Sequence, residues 1–338
     1  MKKTDPLMKQ SMSRLLRWLG LSLSAASVIL GIGILACYIA QWDTMSAVTL
    51  LPFWVWGIAV TGLSLLAWGL HRRIWQVLLS VSWVCVTLFY SDDLSRLILS
   101  HLSSPILTRT RATGLHLRVI SLNCAGQMLA ASEAGSWKPD IVLLQESPSS
   151  NDVATLTREW FGDAGDFLVG WDCSIISRGQ LSRLSEMKTT EFTRAQLTLP
   201  QVRSIEVVSL RFMPPETRLD LWSADCWRAH GEDRLMRKEQ MEQLVAHIGG
   251  FKSDVPYIVG GDFNCPAGDA VSRLLKPRLK DTFREGGMGW GNTGINEIPI
   301  SRPDQIWVSR DFHTVAVWAV KTLNSDHRMV VCDLVLHP

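Results

Sequence analysis

The first quarter of the chain limits what the rest can be. Trp18 to Ala40, Met45 to Leu70 and Ile74 to Tyr90 each run without a charged residue. Crossing the hydrocarbon of a bilayer takes ~20 apolar residues, so the first two runs are long enough to span and the third is marginal. A buried core helix is the alternative for each. Three in succession, separated by a few residues, argue against that, and a cleaved leader would account only for the first. Charge then sets an orientation, because Lys and Arg are retained on the cytoplasmic side. Lys2, Lys3, Lys9, Arg14 and Arg17 precede the first run, Asp43 marks the first loop, His71, Arg72 and Arg73 fill the second, and Asp92 and Asp93 come after the third. That alternation predicts three crossings of a cell membrane, with everything after about residue 91 extracytoplasmic. A third segment that lay only in the interface would leave the remainder cytoplasmic.

The 338 residues therefore divide into an anchor (1–90, with spans near 18–40, 45–70 and 74–90), a linker (91–114) and a folded domain (115–338). Within the linker, Ser91 to Leu102 reads as a short amphipathic helix stopped by Ser103, Ser104 and Pro105. Arg109, Arg111, His116 and Arg118 form a basic stretch, read either as a solvated linker or as a contact for anionic lipid headgroups. A formal charge of +2 gives no global attraction to nucleic acid. The seven cysteines show no framework of paired spacings. Cys124, Cys265 and Cys332 lie in apolar, strand-like surroundings and read as core, whereas Cys173 and Cys226 are candidates for a disulfide in an oxidising compartment.

From Leu115 onward, apolar β-rich runs dominate: HLRVISLN, DIVLLQE, CSIIS, AQLTL, IEVVSLRF, YIVGGDFN, QIWVS and RMVVCDLVL. Helical periodicity appears at Asp152 to Phe161 and at Glu232 to Ile248. Many strands with few crossover helices predict packed sheets flanked by helices, not one doubly wound sheet.

The strands end alike. Asn123 closes the first, Gln145 and Glu146 the second, and Asp262 and Asn264 come after IVGG, while Ser325, Asp326 and His327 stand just before the last. Each has an ordinary reading as a turn former, and Gly260 and Gly261 would suit an Asx turn at GGDFN. If the tips converge, however, they supply carboxylates and amides to a hard cation and one imidazole to proton transfer. Neither the paired cysteines nor the multiple histidines of a structural zinc site are there.

These residues resemble the endonuclease/exonuclease/phosphatase superfamily, which includes DNase I-like nucleases, apurinic endonucleases, sphingomyelinases and inositol polyphosphate phosphatases. SLN, DIVLLQE, SIISR, GGDFN, RPDQIWVS and SDHRMVV occur in the family's order from about Leu117 to the C-terminus. The resemblance implies a four-layered α/β (α+β) sandwich, DNase I-like, of two packed mixed β-sheets flanked by helices and preceded here by the three transmembrane helices. It implies a divalent metal, Mg²⁺ or Mn²⁺, held by Glu146 and Asn123 with Asp326 close by. Asp262 would orient or deprotonate the attacking water, Asn264 would hold a non-bridging oxygen, and His327 would donate to the phosphate with Asp304 fixing its tautomer. Many relatives carry a second histidine where this chain has Arg211, which can hold a phosphate bidentately but does not exchange a proton near neutral pH. Arg237 and Gln240 resemble a helix packed beside the site. Trp222 and Trp227, with His230, are candidates for a substrate-facing wall.

The implied activity is metal-dependent hydrolysis of a phosphodiester or phosphomonoester, with lipid-linked phosphate and nucleic acid as competing substrate classes. Anchored glycopeptide-resistance proteins of the superfamily are similar in layout. No basic stripe of the kind that serves a nuclease accompanies the domain. A non-catalytic binding module on the same fold is a second reading, disfavoured by the presence of Glu146, Asp262 and His327 together. A transport subunit is a third, disfavoured because the apolar runs are nearly free of polar residues. Nothing in the sequence points to an obligate protein partner.

Overall fold

The computed structural model describes residues 6–100, 114–184, 191–200, 204–251 and 255–337, which fall into two compact units, Met1–Ser95 and Arg96–Pro338. Arg109, Arg111 and the Ser103 to Pro105 stop lie outside the described residues.

The first unit is helical. Pro6–Ala40, Phe53–His71 and Ile74–Tyr90 form its three long helices. Gln10–Ala40 and Phe53–His71 are long and apolar enough to cross a membrane; Ile74–Tyr90 joins them only if it is counted with the helix Asp92–Ser100, from which it is bent by 88°. The second helix starts later than the apolar run because Pro52 breaks it: Leu51 is extended, and a separate short helix, Ser46–Leu50, precedes it. Although uncharged, the helix interfaces are not free of polar groups. The Ser27 hydroxyl bonds Ser64 at 2.8 Å and accepts from the Trp83 indole at 3.0 Å, and the Gln76 amide donates to Ser24 at 3.1 Å. Small residues allow this approach, since a Cβ on Gly57 would sit 2.1 Å from the Thr87 hydroxyl. Such hydroxyl and amide contacts hold helices together where water is absent.

The second unit has twelve described strands: β1 (Leu115–Asn123), β2 (Ile141–Gln145), β3 (Asp166–Val169), β4 (Cys173–Ser177), β5 (Gln180–Arg183), β6 (Phe192–Thr198), β7 (Ile205–Arg211), β8 (Tyr257–Asp262), β9 (Leu279–Asp281), β10 (Asp304–Ser309), β11 (Phe312–Val320) and β12 (Met329–Leu336). They form two six-stranded sheets, β11-β12-β1-β2-β4-β3 and β5-β6-β7-β8-β10-β9. Both sheets are mixed: β1/β2 and β7/β8 are parallel and the other pairs antiparallel.

Alternation along the strands explains the four layers. Val119, Ile141, Leu143 and Ile175 of the first sheet meet Ala195, Leu197, Val207 and Ile258 of the second. The intervening Ile120, Leu122, Val142 and Leu144 face the opposite way, onto Ala130 and Ala131 and onto Val153 and Leu156 of the helix Ser150–Phe161. On the far side, Val208, Leu210 and Val259 meet Met241, Leu244 and Ile248 of the helix Ala224–Ile248. Strands buried on both faces read as continuous apolar runs. Gly260 and Gly261 are strand residues, not parts of a turn: a Cβ on Gly260 would come within 2.6 Å of Leu143 in the facing sheet, and Gly261 has φ +149°. Cys124, Cys265 and Cys332 are core residues, as their apolar surroundings predict. Cys173 and Cys226 are free thiols, Cys173 lying against the Glu191 carbonyl and Cys226 against that of Arg218.

Candidate active site

Topology assembles the site. In a parallel pair both strands leave the sheet at the same end, so the residues immediately beyond them emerge together. Asn123 pairs with Gln145 at the end of β1/β2, and Arg211 with Asp262 at the end of β7/β8. An antiparallel neighbour enters where its partner leaves. Thus β10 begins with Asp304 directly opposite Asp262, and β12 starts beside the end of β1, with Ser325, Asp326 and His327 just ahead of it. Backbone strain collects here too. Of the five non-glycine residues at positive φ in this unit, among the described residues, Ala125, Glu146 and Asn264 lie just past β1, β2 and β8. Such residues mark sites where function dictates conformation.

The side chains meet across the two sheets. Asn123 Nδ2 donates to Glu146 Oε1 at 3.0 Å and to Asp262 Oδ2 at 3.2 Å. Arg211 spans two carboxylates, with Nη2 on Glu146 Oε1 at 2.7 Å and Nη1 on Asp172 Oδ2 at 3.1 Å. His327 Nδ1 lies 2.8 Å from Asp304 Oδ2. Asn264 is held by its own backbone N–H on Asp262 Oδ1 and donates through Nδ2 to the Phe212 carbonyl. Ser325 accounts for the third polar residue of the SDH turn: its hydroxyl donates to the Asn123 carbonyl at 2.7 Å and accepts from the His327 N–H at 3.0 Å. The sequence-derived set therefore converges with one exception. Asp326 is exposed, and its backbone carbonyl, not its carboxylate, is engaged, by the Asn296 N–H.

The sequence profile of the Endonuclease/Exonuclease/phosphatase family matches residues 120–327, a segment that begins in β1 and ends on His327. The chain belongs to this family. Among solved structures, an endonuclease/exonuclease/phosphatase family protein from Bacteroides thetaiotaomicron is 14% identical with a TM-score of 0.51, covering 67% of this chain and 100% of its own. The endonuclease/exonuclease/phosphatase from Bacteroides vulgatus is 17% identical with a TM-score of 0.50, covering 66% and 100%. At these identities the likeness is one of fold, the DNase I-like sandwich. No curated protein is similar enough in sequence to match. Members of the family generally hydrolyse phosphate esters and usually depend on a divalent metal.

Two places offer carboxylates to a cation. Oxygen or nitrogen atoms of Asp262, Asp304 and His327 lie within 4.8 Å of one another. Burial works against the His327 charge, but the Asp304 charge and hydrogen bond, with Asp262 and Asp326 adding, raise its pKa to about 10, so a cation at this trio would compete with a proton. Glu146 offers a second place. Its Oε1 takes the Asn123 and Arg211 bonds, whereas no described residue bonds its Oε2, and its side chain is 35% exposed.

Asp262 is pushed the other way from most carboxylates. Burial, then the Asp304 charge opposite it, raises its pKa to about 6, against the lowering pull of His327, the Asn264 N–H and Asn123. Like charges facing each other across a strand pair are destabilising. The proton on His327 offsets that repulsion.

Several residues that shape the site were not read from the sequence. Asp172, in the turn before β4, is likewise a polar group at a strand mouth, and the CSIIS run that marks β4 is the signal that could have found it. Arg302 closes a bidentate pair on Asp281 at 3.0 and 2.7 Å two residues before Asp304, and Arg234 pairs with Asp269 at 2.6 Å; all four are buried. Arg237 and Gln240 grip the exit of β7, bonding the Met213 carbonyl and N–H at 3.3 and 2.9 Å. Of the expected aromatic wall, Trp222 is exposed, Trp227 ties its indole to the Leu221 carbonyl, and His230 is buried against the Arg218 carbonyl.

Proposed function

We propose that the chain is a membrane-anchored, metal-dependent phosphoesterase whose domain lies outside the cytoplasm and acts on a lipid-linked or other extracytoplasmic phosphate. The observation that carries this reading is the Asp304–His327 pair facing Asp262 beside Glu146 and Asn123. Asp262, with a pKa near the working range, accepts the proton of the attacking water. His327, held cationic and fixed through Nδ1 by Asp304, donates to the phosphoryl oxygen as negative charge builds there. Asn264 supports a non-bridging oxygen, and Arg211, anchored by Asp172, adds a fixed positive charge. Mg²⁺ or Mn²⁺ would be held by Glu146 and Asn123, with Asp326 the further carboxylate that the family resemblance puts close by; such an ion would supply Lewis-acid polarisation of the phosphoryl group.

The lipid-linked substrate class is favoured by the apolar helices, which hold the site near a bilayer, and by the small net charge, which gives no steering of nucleic acid. The test assays the full chain in nanodiscs, with and without Mg²⁺ or Mn²⁺, against an isoprenyl diphosphate, a generic water-soluble phosphodiester and plasmid DNA. Metal-dependent turnover lost in Asp262→Ala and His327→Ala is expected. Cleavage of DNA alone removes the lipid reading, and turnover surviving both substitutions removes the mechanism. A secretion-dependent reporter fused to the C-terminus should be active; silence would put the domain in the cytoplasm.

A further inference from the structure

The sandwich has two ends, and they differ in what they show to solvent. At the end bearing Asp262 and His327, nearly every loop exposes a large apolar side chain. Leu129 lies beyond β1 and is 66% exposed, Trp171 in the β3–β4 turn 77%, Trp222 after β7 89%, Ile298 before β10 70% and Leu323 before β12 88%. At the opposite end, the described residues of the β4–β5 turn, the approach to β2 and the β10–β11 turn present Lys138, Asp140, Arg178, Arg310 and Asp311, and no exposed large hydrophobic.

These apolar groups are not the tips of loose loops. The Leu323 and Asn324 N–H groups both donate to the Glu133 carboxylate at 2.9 Å. Asn296, within the loop that carries Ile298, donates to the Thr322 and Ser325 carbonyls at 2.8 and 2.9 Å. Asp172, beside Trp171, is fixed by Arg211, and Asp220, near Trp222, by two hydrogen bonds from Arg218 at 3.0 and 2.6 Å. Hydrogen bonds thus hold apolar side chains out in water around the mouth of a phosphate site. Leu235 and Met236 on the helix Ala224–Ile248 and Leu274 before β9 are exposed singly, which is ordinary, but five around one end, four of them on loops pinned by hydrogen bonds, mark an interaction surface.

We infer that this ring is a lipid-docking rim that seats the mouth of the site on the same bilayer that holds the N-terminal helices. The inference deepens the proposed function and rests on its membrane anchor. A bilayer is the occupant because the chain carries its own apolar helices and because the rim itself is built of large apolar side chains, with the neighbouring Arg218 and Lys321 paired to Asp220 and Glu297. With the rim seated, a phosphate at the headgroup level of an amphiphile enters the site while its apolar tail stays in the leaflet.

The test uses the full chain in nanodiscs, labelled with an environment-sensitive dye at Leu323→Cys in a Cys85→Ser background, because Cys85 is the exposed thiol among the described residues. Quenching of the dye by nitroxide-bearing phosphatidylcholine is expected. The paired variant Ile298→Ser with Leu323→Ser should cut hydrolysis of a disc-embedded phosphoester at least about tenfold, the factor that 1.4 kcal/mol of lost burial represents, and leave a water-soluble phosphodiester untouched. A dye that stays unquenched by lipid in protein that co-purifies with discs overturns the rim. A dye shielded from aqueous iodide but not quenched by lipid does so too, and assigns the ring to another copy of the chain or a protein partner. Quenching without hydrolysis of either ester keeps the rim and sinks the proposed function. Protein that fails to enter discs sinks both the anchor and the rim that rests on it.

Discussion

Two kinds of buried charge stand within a few residues of each other, on the flanks of the site and at its mouth. On the flanks every carboxylate oxygen has a donor. Asp281 takes both Arg302 nitrogens and the Phe283 N–H, and Asp269 takes Arg234 on one oxygen and the Val271 N–H on the other. At the mouth the sets are left open. Asp304 Oδ1 is buried without a partner among the described residues, and Glu146 engages only Oε1. A native protein rarely leaves such groups unmet, and each exception asks for a ligand or a role. Closed pairs thus position the scaffold, whereas open ones await the substrate and its cation.

That division is most exposed to test at Asp262. Asp262→Asn should lower kcat/KM by about 10²–10⁴-fold, the range of a lost general base. Stability should move the other way. The Asp262 pKa is raised from its unfolded value, so ionising it costs the folded state stability above that value and fully so above about 6. At pH 7.5 the neutral variant should therefore melt no lower than the parent, with a gain on the order of 1 kcal/mol from relief of the repulsion with Asp304. A large loss of stability in calorimetry would mean that Asp262 belongs with the closed pairs. Arg302→Met is the converse. It strands a buried carboxylate and should cost about 3–5 kcal/mol in denaturant unfolding. Activity of the fraction that remains folded should fall far less than for Asp262→Asn.

A pH profile separates the two kinds of charge further. Turnover that needs ionised Asp262 and protonated His327 should rise through about pH 6 and hold until about pH 10. Asp304→Asn removes the main support of the imidazolium, so the upper limit should drop by several units towards an ordinary histidine value. The sign for stability comes from the raised His327 pKa. Its contribution is complete below about pH 6.5 and fades as pH climbs through about 10. An alkaline limb unmoved in Asp304→Asn would show that the histidine is not the group being read.

Much of the sandwich was legible in the sequence, and the omissions share a cause. The eight strands read from apolar runs are the interior strands of the two sheets. The four that were missed, β3, β5, β9 and β11, are the four sheet edges. Edges are short or irregular and half exposed, so the apolar signal thins: β5 is four largely exposed residues and β11 carries a bulge near Thr314. The helix Ala224–Ile248 begins eight residues before its periodic stretch because its first turns bury Cys226, His230 and Gly231, which carry little apolar pattern. At the site, strand-tip polarity found most of the groups, Asp172 at the mouth of β4 being the exception. The flanking pairs escaped because an Arg–Asp contact between distant segments leaves no local trace. Asp326, expected close to the metal from the family resemblance, is exposed on the turn before β12.

Arg211 offers the subtlest test, because it stands between the two kinds of charge. It is paired, like Arg302, yet its partners Glu146 and Asp172 belong to the open set. Burial disfavours its charge, but Asp172 and Glu146 more than offset that and raise its pKa. Arg211→Lys keeps the charge and loses the fork, so one amine can face Glu146 or Asp172 but not both as Nη1 and Nη2 do now. If the arginine serves the substrate, KM for a water-soluble phosphodiester should rise a few-fold, on the order of 1 kcal/mol, with melting unchanged, as for other half-exposed pairs. If instead it is a strut, the melting temperature should fall and KM stay put. An arginine that only props Glu146 and Asp172 would also make Mn²⁺ titration by calorimetry insensitive to the substitution once the folded fraction is corrected. One that shares Glu146 with the cation should strengthen metal binding in Arg211→Lys, because the carboxylate is then freer to turn both oxygens to the ion.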